Sequence, residues 1–240
     1  MLKINEVFGP TIQGEGPTQG KKVVFLRLST CNLHCVWCDT PYTWNWTGTK
    51  FEHPQKFDKS KEMHIVSNEV ILARLRGCGL ATTKALVVSG GEPLLQQKEL
   101  SQLLREIRAM FPNMWVEVET NGTIAPSIEL LELVDRINCS PKLNNSGNEP
   151  HLMTKPQALK NLAECGKAIF KFVVTQYADI HEIRELINNH NLTNIYLMPE
   201  GRTEKELNKH TSVVQLLCDE KGYHFADRLH IRLFGAKRGV

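Results

Sequence analysis

Short apolar runs alternate with longer amphipathic segments along most of this chain. The first clear run, V-V-F-L-R-L at 23–28, is β-branched and apolar, which is typical of a buried strand. Further on, helices are predicted over 68–76, 98–111, 127–134, 156–165, 179–190 and 204–221, and strands over 85–89, 115–119, 136–139, 169–175, 194–198 and 229–234. Strict alternation predicts an α/β fold with a parallel sheet and right-handed crossovers, here an open partial barrel of the (β/α)6 type.

Two stretches depart from this alternation. Residues 6–20 hold four glycines and two prolines, which predicts a loop whose backbone can approach a ligand. Residues 41–66 have no clear period and predict an irregular insertion with a short helix, whose aromatic side chains pack onto the domain's own surface. Because no linker interrupts the pattern, we expect residues 1–240 to form a single domain that carries this insertion.

Composition excludes several classes of protein. The chain has 240 residues, 41% of them hydrophobic, which is enough for one domain with a full core. No apolar run approaches the ~18 residues of a membrane helix, and the N-terminus lacks the shape of a signal peptide. The net charge of +3 is small and the basic residues are scattered, so neither nucleic acid nor membrane is an expected partner. Seven cysteines without a secretory signal favour a reducing cytoplasm.

Three of these cysteines lie close together in the stretch S-T-C-N-L-H-C-V-W-C-D-T, residues 29–40. Cys31, Cys35 and Cys38 have the spacing C-x3-C-x2-C, which lets a loop wrap its thiolates around a metal centre. Soft sulfur ligands select zinc, copper(I) or iron–sulfur clusters. Three ligands leave one metal position open for chemistry. Two alternatives stay open, a zinc knuckle completed by His34 or a distant cysteine, and three unrelated buried thiols.

The other unusual residues fall just after predicted strands, where sites form in parallel β/α folds. The stretches are S-G-G-E-P at 89–93, E-T-N-G at 119–122, S-P-K at 140–142 and M-P-E-G at 198–201. Each one alone could be an ordinary turn, but their joint placement behind the cysteine motif indicates a ligand site. Arg27 stands inside the first apolar strand, where a charge is costly unless it is paired, so it either points out of the sheet or meets an anionic ligand.

The cysteine spacing, the aromatic residue before the last cysteine and the G-G-E-P stretch resemble the radical S-adenosylmethionine (SAM) superfamily, whose members share the partial barrel. Within it, F-G-P-T-I-Q-G-E-G-P-T-Q-G and V-F-L-R-L-S-T-C-N-L-H-C-V-W-C-D-T resemble the 7-carboxy-7-deazaguanine synthase family. The resemblance implies a carbon–nitrogen lyase of queuosine (7-deazapurine) biosynthesis that turns 6-carboxy-5,6,7,8-tetrahydropterin into 7-carboxy-7-deazaguanine and releases ammonia. It also implies a 4Fe–4S cluster, SAM and Mg2+ as cofactors, a cytoplasmic homodimer, and a flavodoxin or ferredoxin as electron donor.

The resemblance also assigns the site residue by residue. Cys31, Cys35 and Cys38 would hold the cluster, and the hydroxyl of Thr40 would ligate Mg2+. Substrate contacts would be Ile12, Gln13, Gly14, Arg27 and Ser89, with Glu15 and Glu119 as candidate catalytic or substrate-contacting residues. SAM contacts would be Trp37, Cys38, Asp39, Gly91, Glu92, Ser140, Pro141, Lys142, Met198, Pro199, Glu200 and Gly201.

The sequence differs from the family pattern in two places. The 41–66 insertion is long for this group, and the A-K-R-G-V end lacks the short proline ending of some members, which leaves open whether Gly239 or Val240 reaches the substrate. Two other functions remain as alternatives. One is a glycyl-radical-activating enzyme that acts on a protein, and the other is a zinc-binding interaction protein without catalysis.

Overall fold

The computed structural model describes residues 1–51, 53 and 55–240. Among these residues, nine strands form one sheet. The strands are β1 (Leu2–Ile12), β2 (Lys22–Leu28), β3 (His64–Val66), β4 (Ala85–Gly90), β5 (Trp115–Thr120), β6 (Arg136–Cys139), β7 (Ala168–Val174), β8 (Ile195–Pro199) and β9 (His224–Phe225). The helices are α1 (Lys59–Glu62), α2 (Asn68–Gly77), α3 (Leu80–Thr83), α4 (Gln97–Met110), α5 (Ile128–Leu133), α6 (Pro150–Met153), α7 (Pro156–Glu164), α8 (Asp179–His190), α9 (Glu204–Lys221) and α10 (Leu229–Phe234).

The sheet has the strand order β3-β1-β2-β4-β5-β6-β7-β8-β9. Every neighbouring pair from β2 to β9 is parallel, whereas β1 is antiparallel to both β2 and β3. Because β3 and β9 lie at opposite edges, the sheet is open. The predicted partial barrel is therefore confirmed.

Local sequence explains where the long helices form. In α4, buried Leu100, Leu103, Leu104 and Ile107 follow the three-and-four spacing that places them on one helical face. Helix α9 begins with a capping box, because the side chain of Thr203 accepts from the backbone N–H of Glu206 and the Glu206 side chain accepts in return.

The two faces of the sheet have different roles, as β7 illustrates. All seven of its residues are buried, as expected for a central parallel strand. Phe170 and Phe172 belong to the main apolar core between the sheet and the helices. Alternation then turns Lys171 and Val173 to the concave face, where both line the large cavity described below. The concave face is thus the one that carries polar side chains.

The ends of the chain correct two expectations. Residues 2–12 are a strand, although a loop was predicted over 6–20, because the Gly9–Pro10 pair falls where the register between β1 and β2 shifts. Such bulges accommodate Gly and Pro at the margin of a sheet. Residues 229–234 are helix α10, although a strand was predicted. The L-H-I-R-L-F run alternates as a strand does, but six residues are too few for period alone to separate the two structures.

The 41–66 stretch is only partly an insertion. It contains a short 3-10 helix, Pro41–Thr43, and α1, but its end is β3, which pairs with β1 as an edge strand of the main sheet. Its aromatic residues Trp44 and Trp46 are buried and Phe51 is half-buried, so they pack onto the domain as predicted. No helix in the described part of the chain combines the length and apolar character needed to cross a membrane.

Candidate active site

A large cavity lies at the carboxyl ends of the parallel strands, where the motifs were predicted to meet. The predicted site residues that line it are Ile12, Gln13, Gly14, Glu15, Arg27, Cys31, Cys35, Trp37, Cys38, Asp39, Thr40, Ser89, Gly91, Glu119, Ser140, Lys142, Met198, Pro199, Glu200 and Gly201. Two other predicted residues, Glu92 and Pro141, are described by the structure but do not line this cavity. Val240 lines it as well.

The three cysteine sulfurs stand on the cavity wall, and each receives an N–H group. The amide of Asn148 donates to Sγ of Cys35 at 3.2 Å, and the indole of Trp44 donates to Sγ of Cys38 at 3.3 Å. The backbone N–H of Leu33 donates to Sγ of Cys31 at 3.5 Å. Hydrogen bonds of this kind stabilise and tune metal-bound thiolates in iron–sulfur sites.

Burial makes these sulfurs poor thiolates on their own. It raises the pKa of Cys38 to about 11 and raises the pKa of Cys31 and Cys35 as well. A metal displaces such protons, because a coordinating thiol is deprotonated by the ion's charge. Within the described residues, no group of three His, Cys, Asp or Glu side chains is placed to hold one metal ion. Three cysteine sulfurs that each accept an N–H group suit an iron–sulfur cluster, which binds its thiolates on separate iron atoms.

His34, the proposed fourth ligand of the zinc alternative, is engaged elsewhere. Its ring stacks on Phe51 with centroids 3.3 Å apart, and burial lowers its pKa to about 4. Its backbone N–H donates to the side chain of Asn148. The polar segment around Asn148 thus supports the cysteine loop, and the backbone N–H of Val36 also donates to the carbonyl of Ser146 at 3.0 Å.

The glycines of the S-G-G-E-P stretch let the end of β4 and the residue after it approach β2 and the cysteine loop closely. A Cβ at Gly91 would lie 1.9 Å from the carbonyl oxygen of Thr30, and one at Gly90 would lie 2.1 Å from that of Leu28. The backbone N–H of Glu92 donates to the Thr30 carbonyl at 2.8 Å. Close approach of two backbones, as well as room for a ligand, therefore explains these glycines.

Glu92 was predicted to contact SAM, but it does not line the cavity. It is fully buried, and its carboxylate accepts from the backbone N–H groups of Leu94 and Asn121 and from the hydroxyl of Thr120. Burial raises its pKa although these donors oppose the shift. Glu92 thus joins the ends of β4 and β5. Pro141 likewise stays off the cavity wall, between Ser140 and Lys142, which do line it.

A Gly91→Ala substitution tests this role of the glycine. Because the new methyl group would meet a backbone oxygen, we expect the variant to lose about 1–3 kcal/mol of stability and to retain less cluster iron. Thermal unfolding and iron content after reconstitution measure both effects. Gly77→Ala is the control, since nothing lies within 4 Å of a Cβ there. A Gly91→Ala protein with wild-type iron content and unfolding temperature would contradict the packing argument.

A row of polar side chains crosses the concave face at one level. Arg27 on β2 is in register with Ser89 on β4, and Glu119 on β5 is in register with Asn138 on β6. The hydroxyl of Ser89 donates to Oε2 of Glu119 at 2.6 Å, which joins the two halves. Parallel register therefore places a cation at one end of the row and acceptors further along it.

Arg27 already has a partner within the protein. Its Nε donates to Oε1 of Glu6 on β1 at 2.8 Å, and its guanidinium lies 5.3 Å from the centroid of the Phe8 ring. Neither alternative offered by the sequence covers this case, because Arg27 is paired across the strands and still lines the cavity. The Glu6 carboxylate also pairs with Arg238, so the local charge is shared.

Sequence reasoning missed a largely buried ionic network that also lines the cavity. Glu15 pairs with both Lys171 and Arg228, and Arg228 also pairs with Asp39 and donates to the carbonyl of Gly201. Although burial opposes ionisation, the two cations hold the pKa of Glu15 well below its ordinary value. Lys171 stands in an apolar strand just as Arg27 does, so that signal could have found it. No local pattern marks Arg228 or the nearby His230.

Thr40 and Lys142 both line the cavity. Thr40 occupies the N-cap position of the 3-10 helix Pro41–Thr43, but its side chain makes no capping hydrogen bond, so helix capping does not explain it. Lys142 donates to the hydroxyl of Ser140 at 2.9 Å and lies 5.5 Å from the centroid of the Trp37 ring.

Comparison with known proteins identifies the family. Residues 12–163 match the model of the 4Fe-4S single cluster domain. The chain is 32% identical to 7-carboxy-7-deazaguanine synthase of Pyrobaculum aerophilum over 99% of this chain and 97% of that protein. The chain belongs to the 7-carboxy-7-deazaguanine synthase family. A second member, from Rhodopirellula baltica, is 31% identical over 100% of this chain and 89% of its own length.

A solved structure agrees with the family assignment. The crystal structure of QueE from Escherichia coli superposes with a TM-score of 0.69 at 25% identity, and the match covers 95% of this chain and 94% of that one. The family resemblance inferred from the N-terminal motifs is thus confirmed, and membership of this family sets aside both the glycyl-radical-activating enzyme and the zinc-binding interaction protein.

Proposed function

We propose that this chain is a radical SAM enzyme that converts 6-carboxy-5,6,7,8-tetrahydropterin to 7-carboxy-7-deazaguanine with release of ammonia, a carbon–nitrogen lyase step of queuosine biosynthesis. One observation carries the proposal beyond family membership. Three cysteine sulfurs, each with an N–H donor, share a cavity with the polar row that runs from Arg27 to Asn138. A cluster held by these sulfurs would then share the cavity with a polar, carboxylate-bearing substrate.

The cysteine loop would hold the 4Fe–4S cluster through Cys31, Cys35 and Cys38, with the open iron position for SAM. A cluster held there would supply one electron for the cleavage of the C5′–S bond of SAM, which gives methionine and the 5′-deoxyadenosyl radical that takes hydrogen from the pterin. Ser140 and Lys142 offer a hydroxyl and a cation for SAM, beside the indole of Trp37. Gly201 and its neighbours in the 198–201 stretch would close the far side.

The chain's own residues would bind and orient the substrate. Arg27 presents a guanidinium to the substrate carboxylate, and Glu119 presents a carboxylate to ring N–H groups. Gln13 donates to Oε1 of Glu119 at 3.4 Å and so links the N-terminal loop to this wall. The Thr40 hydroxyl, which makes no cap, would bind Mg2+ together with substrate oxygens, because hydroxyl and carboxylate oxygens suit this hard cation.

Several properties that the resemblance implies remain predictions. They are a flavodoxin or ferredoxin as electron donor, a homodimer, and action in the cytoplasm as one domain over 1–240.

The aromatic side chains of His34, Trp44 and Phe51 pack together beside the cysteine loop, where they would exclude water from the iron–sulfur cluster.

Anaerobic reconstitution tests the proposed function directly. Protein loaded with iron and sulfide receives SAM, a reductant and carboxytetrahydropterin, with and without Mg2+, and mass spectrometry follows the product. We expect 7-carboxy-7-deazaguanine and ammonia, with faster turnover when Mg2+ is present. A fully loaded, reduced protein that cleaves SAM but leaves the pterin unchanged would show that its substrate is another molecule.

An Arg27→Lys substitution tests recognition of the substrate carboxylate. Lysine keeps a charge beside Glu6 but loses the two-pronged contact, so we expect at least a tenfold rise in KM, since such a contact contributes ~1.5–3 kcal/mol. Cluster content and SAM binding should be unchanged. The matched control is Arg238→Lys, because Arg238 also pairs with Glu6 but is absent from the described cavity wall. Equal KM values for both variants would mean that Arg27 only neutralises Glu6.

A further inference from the structure

One buried acceptor on the cavity wall has no partner in the protein. Asn138 on β6 is 3% exposed and lines the cavity. Its Nδ2 donates to Oε2 of Glu117 at 3.1 Å, but no donor among the described residues reaches its Oδ1. Buried polar atoms are nearly always satisfied, so an orphan at a binding cavity indicates a group that arrives with a ligand.

Glu117 fixes which way the amide of Asn138 faces. This buried carboxylate accepts from three donors. The indole of Trp115 donates to Oε1 at 2.8 Å. The hydroxyl of Thr18, at 2.9 Å, and Nδ2 of Asn138 both donate to Oε2. A carboxylate in this setting accepts only, so Asn138 must present its NH2 group to it. Its carbonyl oxygen is therefore turned away from Glu117, and the amide acts toward the cavity as an acceptor.

The position of Asn138 in the polar row indicates which part of the substrate it meets. Arg27 and Asn138 stand three strand spacings apart along the sheet, ~14 Å, and less across a concave face. In the substrate, the carboxylate at C6 and the 2-amino group at C2 lie at opposite ends of the bicyclic ring. A pterin whose carboxylate meets Arg27 therefore points its amino-bearing edge toward β5 and β6, where Glu119 and Asn138 are neighbours in register.

We propose that Asn138 is a specificity-determining residue whose Oδ1 accepts a hydrogen bond from the 2-amino edge of the pterin. Glu117 does not line the described cavity, so it is a positioning residue that sets the polarity of the Asn138 amide. The proposal rests on the proposed function, since it takes the pterin as substrate. It predicts that the enzyme distinguishes a 2-amino ring from a ring that carries a 2-oxo group at the same place.

Glu117→Gln should reverse this preference without touching the substrate. The indole of Trp115 can only donate, so it keeps the glutamine carbonyl at the Oε1 position and places the new NH2 group where Oε2 was. That NH2 group then requires an acceptor from Asn138, whose amide turns over. The NH2 group of Asn138 would face the cavity and oppose the 2-amino group, but it would donate to a 2-oxo group.

Equilibrium binding to the reconstituted enzyme tests the reversal. The protein, with SAM and an oxidised cluster so that no turnover occurs, is titrated by calorimetry with carboxytetrahydropterin and with the lumazine counterpart that has oxygen in place of the 2-amino group. We expect the wild type to favour the pterin. In Glu117→Gln the pterin affinity should fall at least about tenfold, and the lumazine should become the better ligand.

Two further variants control the result. Thr18→Val removes another donor from Glu117 but leaves the amide of Asn138 as it is, so its pterin preference should match that of the wild type. Asn138→Leu removes the acceptor, so it should weaken pterin binding about tenfold and abolish the preference, which keeps the test decisive if Glu117→Gln does not fold. Iron content and thermal unfolding are measured for all four proteins.

The outcomes separate this inference from the proposed function. A wild type that binds neither ligand overturns both. If the wild type binds and converts the pterin while Glu117→Gln and Asn138→Leu keep the wild-type preference for pterin over lumazine, only the role of Asn138 is overturned. Loss of the pterin preference in Thr18→Val as large as that in Glu117→Gln would also overturn it, because the effect would then come from general disturbance of the buried network.

Discussion

Replacement of Cys35 by alanine is expected to abolish both the cluster and turnover. Its sulfur is buried on the cavity wall and accepts from the amide of Asn148, and alanine offers no thiolate in that place. With two thiolates left, the cluster loses one of its three protein ligands. Iron and sulfide content, the brown absorbance of the reconstituted protein and product formation should all fall to background together. The same result is expected for Cys31→Ala and Cys38→Ala.

Cysteines outside the cavity provide the controls for this experiment. Cys78, Cys165 and Cys218 do not line the described cavity, and Sγ of Cys165 lies near the backbone of its own helical turn, 3.1 Å from the carbonyl of Leu162. Alanine at these positions should leave iron content and activity near the wild-type level. Full cluster iron in Cys35→Ala, or its loss in Cys165→Ala, would mean that the cluster ligands have been assigned wrongly.

Much of the fold follows from local sequence because each element carries its own signal. Apolar β-branched runs indicate the central strands, and a capping box marks the first turn of α9. The observed bounds of these strands and helices therefore lie close to the predicted ones. The exceptions are segments where tertiary contacts outweigh local pattern. Strand β1 contains a Gly–Pro pair that the pairing with β2 accommodates, and α10 is too short for its alternation to decide its structure.

The residues of the candidate site also separate into those that sequence could place and those that it could not. Residues just after strands could be placed from sequence because parallel topology brings strand ends together. Glu92 could not, because its backbone partners appear only once β4 and β5 are side by side. Glu15 is 213 positions from its partner Arg228 and 156 positions from its partner Lys171. No local spacing in the sequence could therefore predict this ionic network.

Arg228→Met should be among the most destabilising single changes outside the apolar core. Arg228 is 7% exposed and joins three parts of the cavity wall, since it pairs with Glu15 and Asp39 and donates to the carbonyl of Gly201 at 2.7 Å. Methionine retains much of the volume but removes one of the two cations that face the largely buried Glu15 carboxylate. Asp39 also loses its partner, but its side chain is 40% exposed, so water compensates there. Removal of one partner from a buried ionic network typically costs about 3–5 kcal/mol.

Denaturant unfolding of the anaerobically reconstituted protein measures this loss, with Arg232→Met as the control. Arg232 lies within α10, four residues after Arg228, and pairs with Asp227, but its side chain is more exposed, so its loss should cost no more than about 1 kcal/mol. Arg228→Lys restores the charge, but an ammonium group cannot meet three acceptors in the fork geometry of a guanidinium, so it should recover only part of the stability. If Arg228→Met unfolds at the same denaturant concentration as Arg232→Met, the buried pairs add no net stability and their role is confined to shaping the cavity.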